Sequence, residues 1–107
     1  MNFKEYQKLA MITLKQFETK SDMVANVGLG LSGECGEVAD ILKKHLLKTK
    51  ELDLVHLQEE LGDILWYLAE ACECFQISLE EVANSNIEKL KKRHPQGFDG
   101  YGNREEK

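Results

Sequence analysis

An all-α fold, a four-helix bundle-like protomer, is predicted by three observations. Apolar residues recur at helical spacing in four long segments. The 107 residues contain one proline. Hydrophobic content is 42% and charged content 31%, the balance of a soluble helical protein rather than a disordered or fibrous one. A chain of this length supports one core but not two, so residues 1–98 read as a single helical domain and 99–107 as a mobile C-terminal tail.

The first helix is expected from about Asn2 to Phe17, with Phe3, Tyr6, Leu9, Ala10, Thr13, Leu14 and Phe17 on one stripe. The second runs from about Ser21, where Ser-Asp caps its start, to about Lys48. Gly28, Gly30, Gly33 and Gly36 each cost about 1 kcal/mol against alanine in a helix interior, so a bend or break is expected before Ser32. The third helix spans about Glu51 to Phe75. The fourth spans about Ser78 to Arg93, where Ser78 and Glu81 form the S-x-x-E capping box. The stretch PQGFDGYGN, with one proline and three glycines, ends it.

Composition excludes several functions. A formal net charge of −5 opposes a sequence-independent grip on a nucleic-acid backbone, which needs a basic surface. No apolar run approaches the roughly 20 residues that span a bilayer, and MNFKEYQKLA has no apolar signal core; no membrane partner and a cytoplasmic location are expected. Cys35, Cys72 and Cys74 are odd in number and lack paired C-x-x-C spacing, so they read as reduced core thiols rather than disulfides or a zinc site.

The chemistry concentrates in GLGLSGECGEVADILKK, residues 28–44. At about 100° per residue, with Glu34 at zero, Glu37 falls at roughly −60°, Val38 at +40° and Ile41 at −20°. Both glutamates therefore share the core-facing stripe. The third helix repeats the arrangement: with Glu60 at zero, Asp63 falls at roughly −60°, Ile64 at +40° and Tyr67 at −20°. A short connection near Lys50 makes the two helices antiparallel neighbours. Glu34 lies about 16 residues before that turn and Asp63 about 13 after it, roughly 24 and 20 Å at the helical rise. The four carboxylates are thus expected to converge at one level. Unpaired in a partly apolar interior they would repel and take up protons. A hard divalent cation removes that conflict, and an all-oxygen set suits Mg²⁺, with Mn²⁺ as a substitute. The competing reading is a solvated acidic face, since the chain has 19 Asp and Glu.

A second cluster lies in NIEKLKKRHPQGF. Asn86, Lys89 and Arg93 recur on one face of the fourth helix, where an amide, a point charge and a bidentate guanidinium can hold a polyphosphate. A solvated basic last turn that complements the helix dipole explains the same residues. Tyr67 sits on the carboxylate stripe, either as core or stacked on a ligand. Trp66 points off that stripe and, if exposed, marks a packing or subunit interface. His45 and His56 fall near inward faces and read as core or as support for the carboxylates.

GECGEVADILKK followed by LQEELGDILWYL resembles the MazG-like nucleotide pyrophosphohydrolases of the all-α NTP pyrophosphatase superfamily, whose signature is E-x-x-E, a spacer, then E-x-x-D. Those positions are Glu34, Glu37, Glu60 and Asp63. The ending NIEKLKKRHPQGF is similar to the family's N-x-x-K-L-x-x-R-(Y/H)-P segment, and the likeness extends over about Gly28 to Phe98. It implies Mg²⁺-dependent cleavage of a nucleoside triphosphate between its α and β phosphates, giving a monophosphate and pyrophosphate, a reaction suited to nucleotide-pool house-cleaning. It further implies a bundle completed by dimerisation or higher assembly, as a homodimer or homotetramer. Glu34, Glu37, Glu60 and Asp63 would ligate the metal, with Glu37 assisting deprotonation of the attacking water. Asn86, Lys89 and Arg93 would meet the phosphates, and Lys44 and Tyr67 stand where relatives place ligand-contacting side chains.

Two other functions fit the same residues. Phosphoribosyl-ATP pyrophosphohydrolases share the metal chemistry, and turnover of that substrate against dNTPs separates them. A non-catalytic helical oligomerisation module is the third; its carboxylates would titrate normally, and Mg²⁺ would leave its melting temperature unchanged.

Overall fold

The computed structural model describes residues 1–99, all helix, turn and loop. The expected tail, 99–107, lies outside the described residues except for Asp99. Four α-helices follow in order: α1 (Phe3–Ala10), α2 (Lys20–Leu46), α3 (Leu54–Cys74) and α4 (Leu79–Arg93). The all-α class holds, but α1 and α2 depart from the sequence reading.

The first helix stops seven residues short of Phe17, at Ala10, and tightens into a 3₁₀ turn over Met11–Thr13. Its last carbonyl is captured elsewhere. Ala10 O accepts the Trp66 indole N–H at 3.2 Å and the Thr13 hydroxyl at 2.7 Å, while the Leu14 N–H turns back to Met11 O at 3.2 Å. Trp66 also donates to Thr13 Oγ1 at 2.9 Å. The indole is half-buried and fastens α1 to α3 within the chain, so it is not the exposed interface marker considered above.

The second departure is continuity. α2 runs unbroken for 27 residues through all four glycines, because packing along α3 offsets their low propensity. Its cap is Thr19, whose hydroxyl accepts from Asp22 N at 3.1 Å, rather than Ser21. Lys48, at φ 57°, turns the chain out of the helix in the left-handed region that usually falls to glycine. Asp53 caps α3 by accepting from His56 N at 3.1 Å, and Ser78 caps α4 by accepting from Glu81 N at 3.3 Å, as the S-x-x-E motif predicts. A 3₁₀ turn over Pro95–Phe98 closes α4.

The buried centre joins α1, α3 and α4: Ala69, Cys72 and Leu79, flanked by Tyr6, Ala10, Met11 and Leu65. Gln7 clips this corner, accepting from Leu79 N at 2.8 Å and donating to Ile77 O at 3.1 Å and Glu73 Oε1 at 3.0 Å. Cys72 and Cys74 are buried free thiols as expected, and burial pushes the Cys72 thiol up from its ordinary value, with a smaller push from Glu73. Cys35 is exposed, which corrects its reading as a core thiol; it follows Glu34 on the outer side of α2. α2 and α3 form a long antiparallel pair, and that seam carries the site.

Candidate metal centre

Side chains meet along the α2–α3 seam in successive rungs. Asn26 faces Glu70, Gly30 faces Tyr67, and Glu34 and Glu37 face Glu60. One carboxylate oxygen from each of Glu34, Glu37 and Glu60 lies within 4.8 Å of the others. Helical periodicity and the length of the connection predicted this meeting.

Glu34 and Glu60 are half-buried and Glu37 is exposed. Among the described residues, Glu34 Oε2 and Glu60 Oε2 are buried without a hydrogen-bond partner. Buried carboxylate oxygens left unpaired are costly, so this cluster requires protons or a cation. Contact with Glu34 raises the Glu60 carboxyl above its ordinary 4.5, followed by desolvation. Glu37 is raised likewise, first by its contact with Glu60 and then by that residue's charge. Three carboxylates, two of them with an orphaned buried oxygen, fit a hard divalent ion, which takes carboxylate oxygens and leaves its other positions to water and phosphate. Imidazole and thiolate are not among the three.

Asp63 departs from the expected four-way convergence. It is exposed and stands outside the triple, although its charge contributes to raising both Glu37 and Glu60. One turn along α3 and roughly 60° around it, it also lies toward α1, where the Tyr6 hydroxyl is raised by burial and then by Asp63. Asp63 therefore forms the rim of the cluster.

The remaining expected residues are dispersed. Tyr67 lays its ring on Gly30 and meets Trp66 edge-on at 5.1 Å between centroids. Lys44 is exposed and paired with Asp40 at 2.8 Å, which holds the Asp40 carboxyl below its ordinary value. Asn86 and Lys89 line a hollow with Ile77, Glu81, Val82 and Ser85, none of them from the triple. Arg93 is exposed in the last turn of α4. A roomier hollow of about 870 Å³ opens at the α2–α3 connection beside Leu42, His45, Leu46 and Leu52, away from the triple. His45 and His56 are exposed rather than inward, yet His56 Nε2 reaches within 3.5 Å of Glu60 Oε1.

Sequence reasoning missed Asn26 and Glu70. A signal was present: Glu60, Asp63, Tyr67 and Glu70 continue one stripe at i, i+3, i+7 and i+10, so Glu70 extends the acidic face.

The profile of the MazG nucleotide pyrophosphohydrolase domain matches residues 24–98, which takes in every rung of this seam and all of α4. The chain belongs to the MazG family. It is also similar to the Gene 37 protein of Mycobacterium phage L5, 37% identical over 76 residues. That match covers 66% of this chain and 66% of the phage protein, so the MazG chain spans just under two thirds of the relative it matches. No solved structure gives a significant match. Among the described residues of this MazG protein, no helix is long and apolar enough to cross a membrane.

Proposed function

We propose that this MazG domain hydrolyses nucleoside triphosphates between the α and β phosphates, in the presence of Mg²⁺, to a monophosphate and pyrophosphate. The observation that carries the reading is the pair of orphaned buried oxygens, Glu34 Oε2 and Glu60 Oε2, within a three-carboxylate cluster on the family's acidic positions. Glu34, Glu37 and Glu60 would hold the ion, with Asp63 contributing from the rim. The chemistry supplied by such an ion, or by Mn²⁺ in its place, is neutralisation of phosphate charge and a lowered pKa for water. Glu37 is the exposed member of the triple, and so the one that an attacking water reaches; we assign it the acceptance of that water's proton. Asn86, Lys89 and Arg93 would hold the phosphates, with Lys44 and Tyr67 toward the rest of the nucleotide.

Asn86 and Lys89 face a different hollow from the triple, and assembly supplies a way to bring the α4 residues to it. Apolar side chains along the α2–α3 pair are open to solvent, including Leu29 at 76%, Leu54 at 68% and Val55 at 69% exposure. The radius of gyration is 17.2 Å, against about 13 Å for a compact chain of this size. Exposed apolar surface on an extended protomer supports a homodimer or homotetramer in which a second copy covers the pair.

The test is a panel of canonical and modified NTPs and dNTPs, incubated with Mg²⁺ or with EDTA and assayed for pyrophosphate and monophosphate. Equal, metal-dependent release of both from any member supports the proposal. No release from the whole panel by folded protein overturns it, and phosphoribosyl-ATP is then the next substrate to assay.

A further inference from the structure

We infer that Asn26 and Glu70 are a positioning pair that sets the register of α2 on α3, and through it the apposition of Glu34, Glu37 and Glu60. The inference rests on the reading of those three carboxylates as a cation site. Glu70 is fully buried, and among the described residues it is the charged side chain with that burial. Both of its oxygens accept from one donor, Asn26 Nδ2, at 3.0 Å each. A buried carboxylate is retained only where donors meet it, and its best-attested use is to specify register.

The sequence of α2 offers Glu70 a partner in one register. Sliding α2 by a turn in one direction would bring Asp22 or Met23 to Glu70, and in the other Leu29 or Gly30. None of these supplies a side-chain donor, and Asp22 would add a second carboxylate. The neighbouring rung lacks this discrimination. Tyr67 needs a glycine beneath its ring, but Gly33 follows Gly30 by three residues and would accept the ring after a slip of about one turn. The triple itself favours separation, because its members repel until protonated or metallated. The Asn26–Glu70 bond therefore selects among registers that the glycine-rich face of α2 leaves close in energy.

The experiment measures Mn²⁺ binding by calorimetry, and the distance between spin labels at Ala39 and Gln58, both exposed, in a Cys35→Ser background. Replacing the pair by Asn26→Leu with Glu70→Leu is expected to leave a folded protein, since replacing a buried charge together with its partner by apolar side chains is often tolerated. Its label distance should broaden or shift by about 5 Å, one helical turn, and Mn²⁺ should bind about tenfold more weakly or worse. Exchanging the residues, Asn26→Glu with Glu70→Asn, re-forms the bond on the same rung and should restore both readouts. A leucine pair with native distance and native Mn²⁺ affinity overturns the inference. So does an exchanged pair that fails to fold or keeps a shifted distance, and the exchange decides the matter if the leucine pair does not fold. Wild-type protein that binds no Mn²⁺ would instead sink the cation reading, and the label distance alone would then decide the register role.

Discussion

One methyl group added at Gly30 tests how closely α2 lies on α3. An ideal Cβ there would sit 2.2 Å from Tyr67 Cε1, 2.3 Å from Cζ and 2.6 Å from the hydroxyl oxygen. Carbon atoms in contact prefer about 3.5 to 4 Å, so the ring must retreat by more than about 1 Å. Tyr67 is half-buried and edge-on to Trp66, which restricts that retreat. Alanine in place of glycine returns about 1 kcal/mol of helix propensity, whereas overpacking costs about 1 to 3 kcal/mol. Gly30→Ala is thus expected to be neutral to about 2 kcal/mol destabilising, a fall in Tm of up to roughly 8–16 °C at about 4–8 °C per kcal/mol. Gly33 and Gly36 provide the control, because a Cβ at either meets nothing within 4 Å; alanine there should gain up to about 1 kcal/mol. The assay is thermal denaturation by circular dichroism at one protein concentration, with emission from the single tryptophan reporting displacement of the Trp66–Tyr67 pair. A Gly30→Ala protein that melts as high as Gly33→Ala, with unchanged emission, would refute the close packing and the register drawn from it.

Four further outcomes are expected. Glu37→Gln should lose at least about 100-fold in pyrophosphate release while its circular dichroism spectrum is retained, because the side chain is exposed; full activity would remove Glu37 from the reaction. In EDTA, the raised Glu37 and Glu60 carboxyls keep more protons in the folded than in the unfolded chain above the ordinary value of 4.5. Their contribution to stability is then present below that value and lost as pH rises through the raised ones. Glu34→Gln removes the main cause at Glu60, so the Tm of wild type relative to this variant should fall with rising pH. A constant difference would contradict the shared-proton picture. Saturating Mg²⁺ should raise the wild-type Tm at neutral pH, by about 2.7 kcal/mol of stabilisation at 100 times Kd. Trp66→Phe removes the donor to Ala10 O and Thr13 Oγ1 and should cost about 1 kcal/mol, with faster amide exchange at the end of α1; unchanged exchange there would show that the indole does not hold that turn.

Periodicity along the chain was enough to name four helices, the Ser78 cap, and the two acidic stripes, Glu34 with Glu37 on α2 and Glu60 with Asp63 on α3, because each depends on residues within a few turns of one axis. The length of the α2–α3 connection added their common level. Where a side chain's fate depended on another helix, the chain alone was silent or misleading. α1 ends at Ala10 because Trp66, far along the sequence, takes its carbonyl. α2 stays whole across its glycines because α3 supports it, and Gly30 makes room for Tyr67. Asp63 stands at the rim and Cys35 on the outside, although each shares the sequence neighbourhood of a glutamate in the triple. Helical spacing sets the direction in which a residue points about its own axis. What it meets there is set by the rotation and register of the neighbouring helix, and those are decided by packing and by buried pairs such as Asn26 and Glu70.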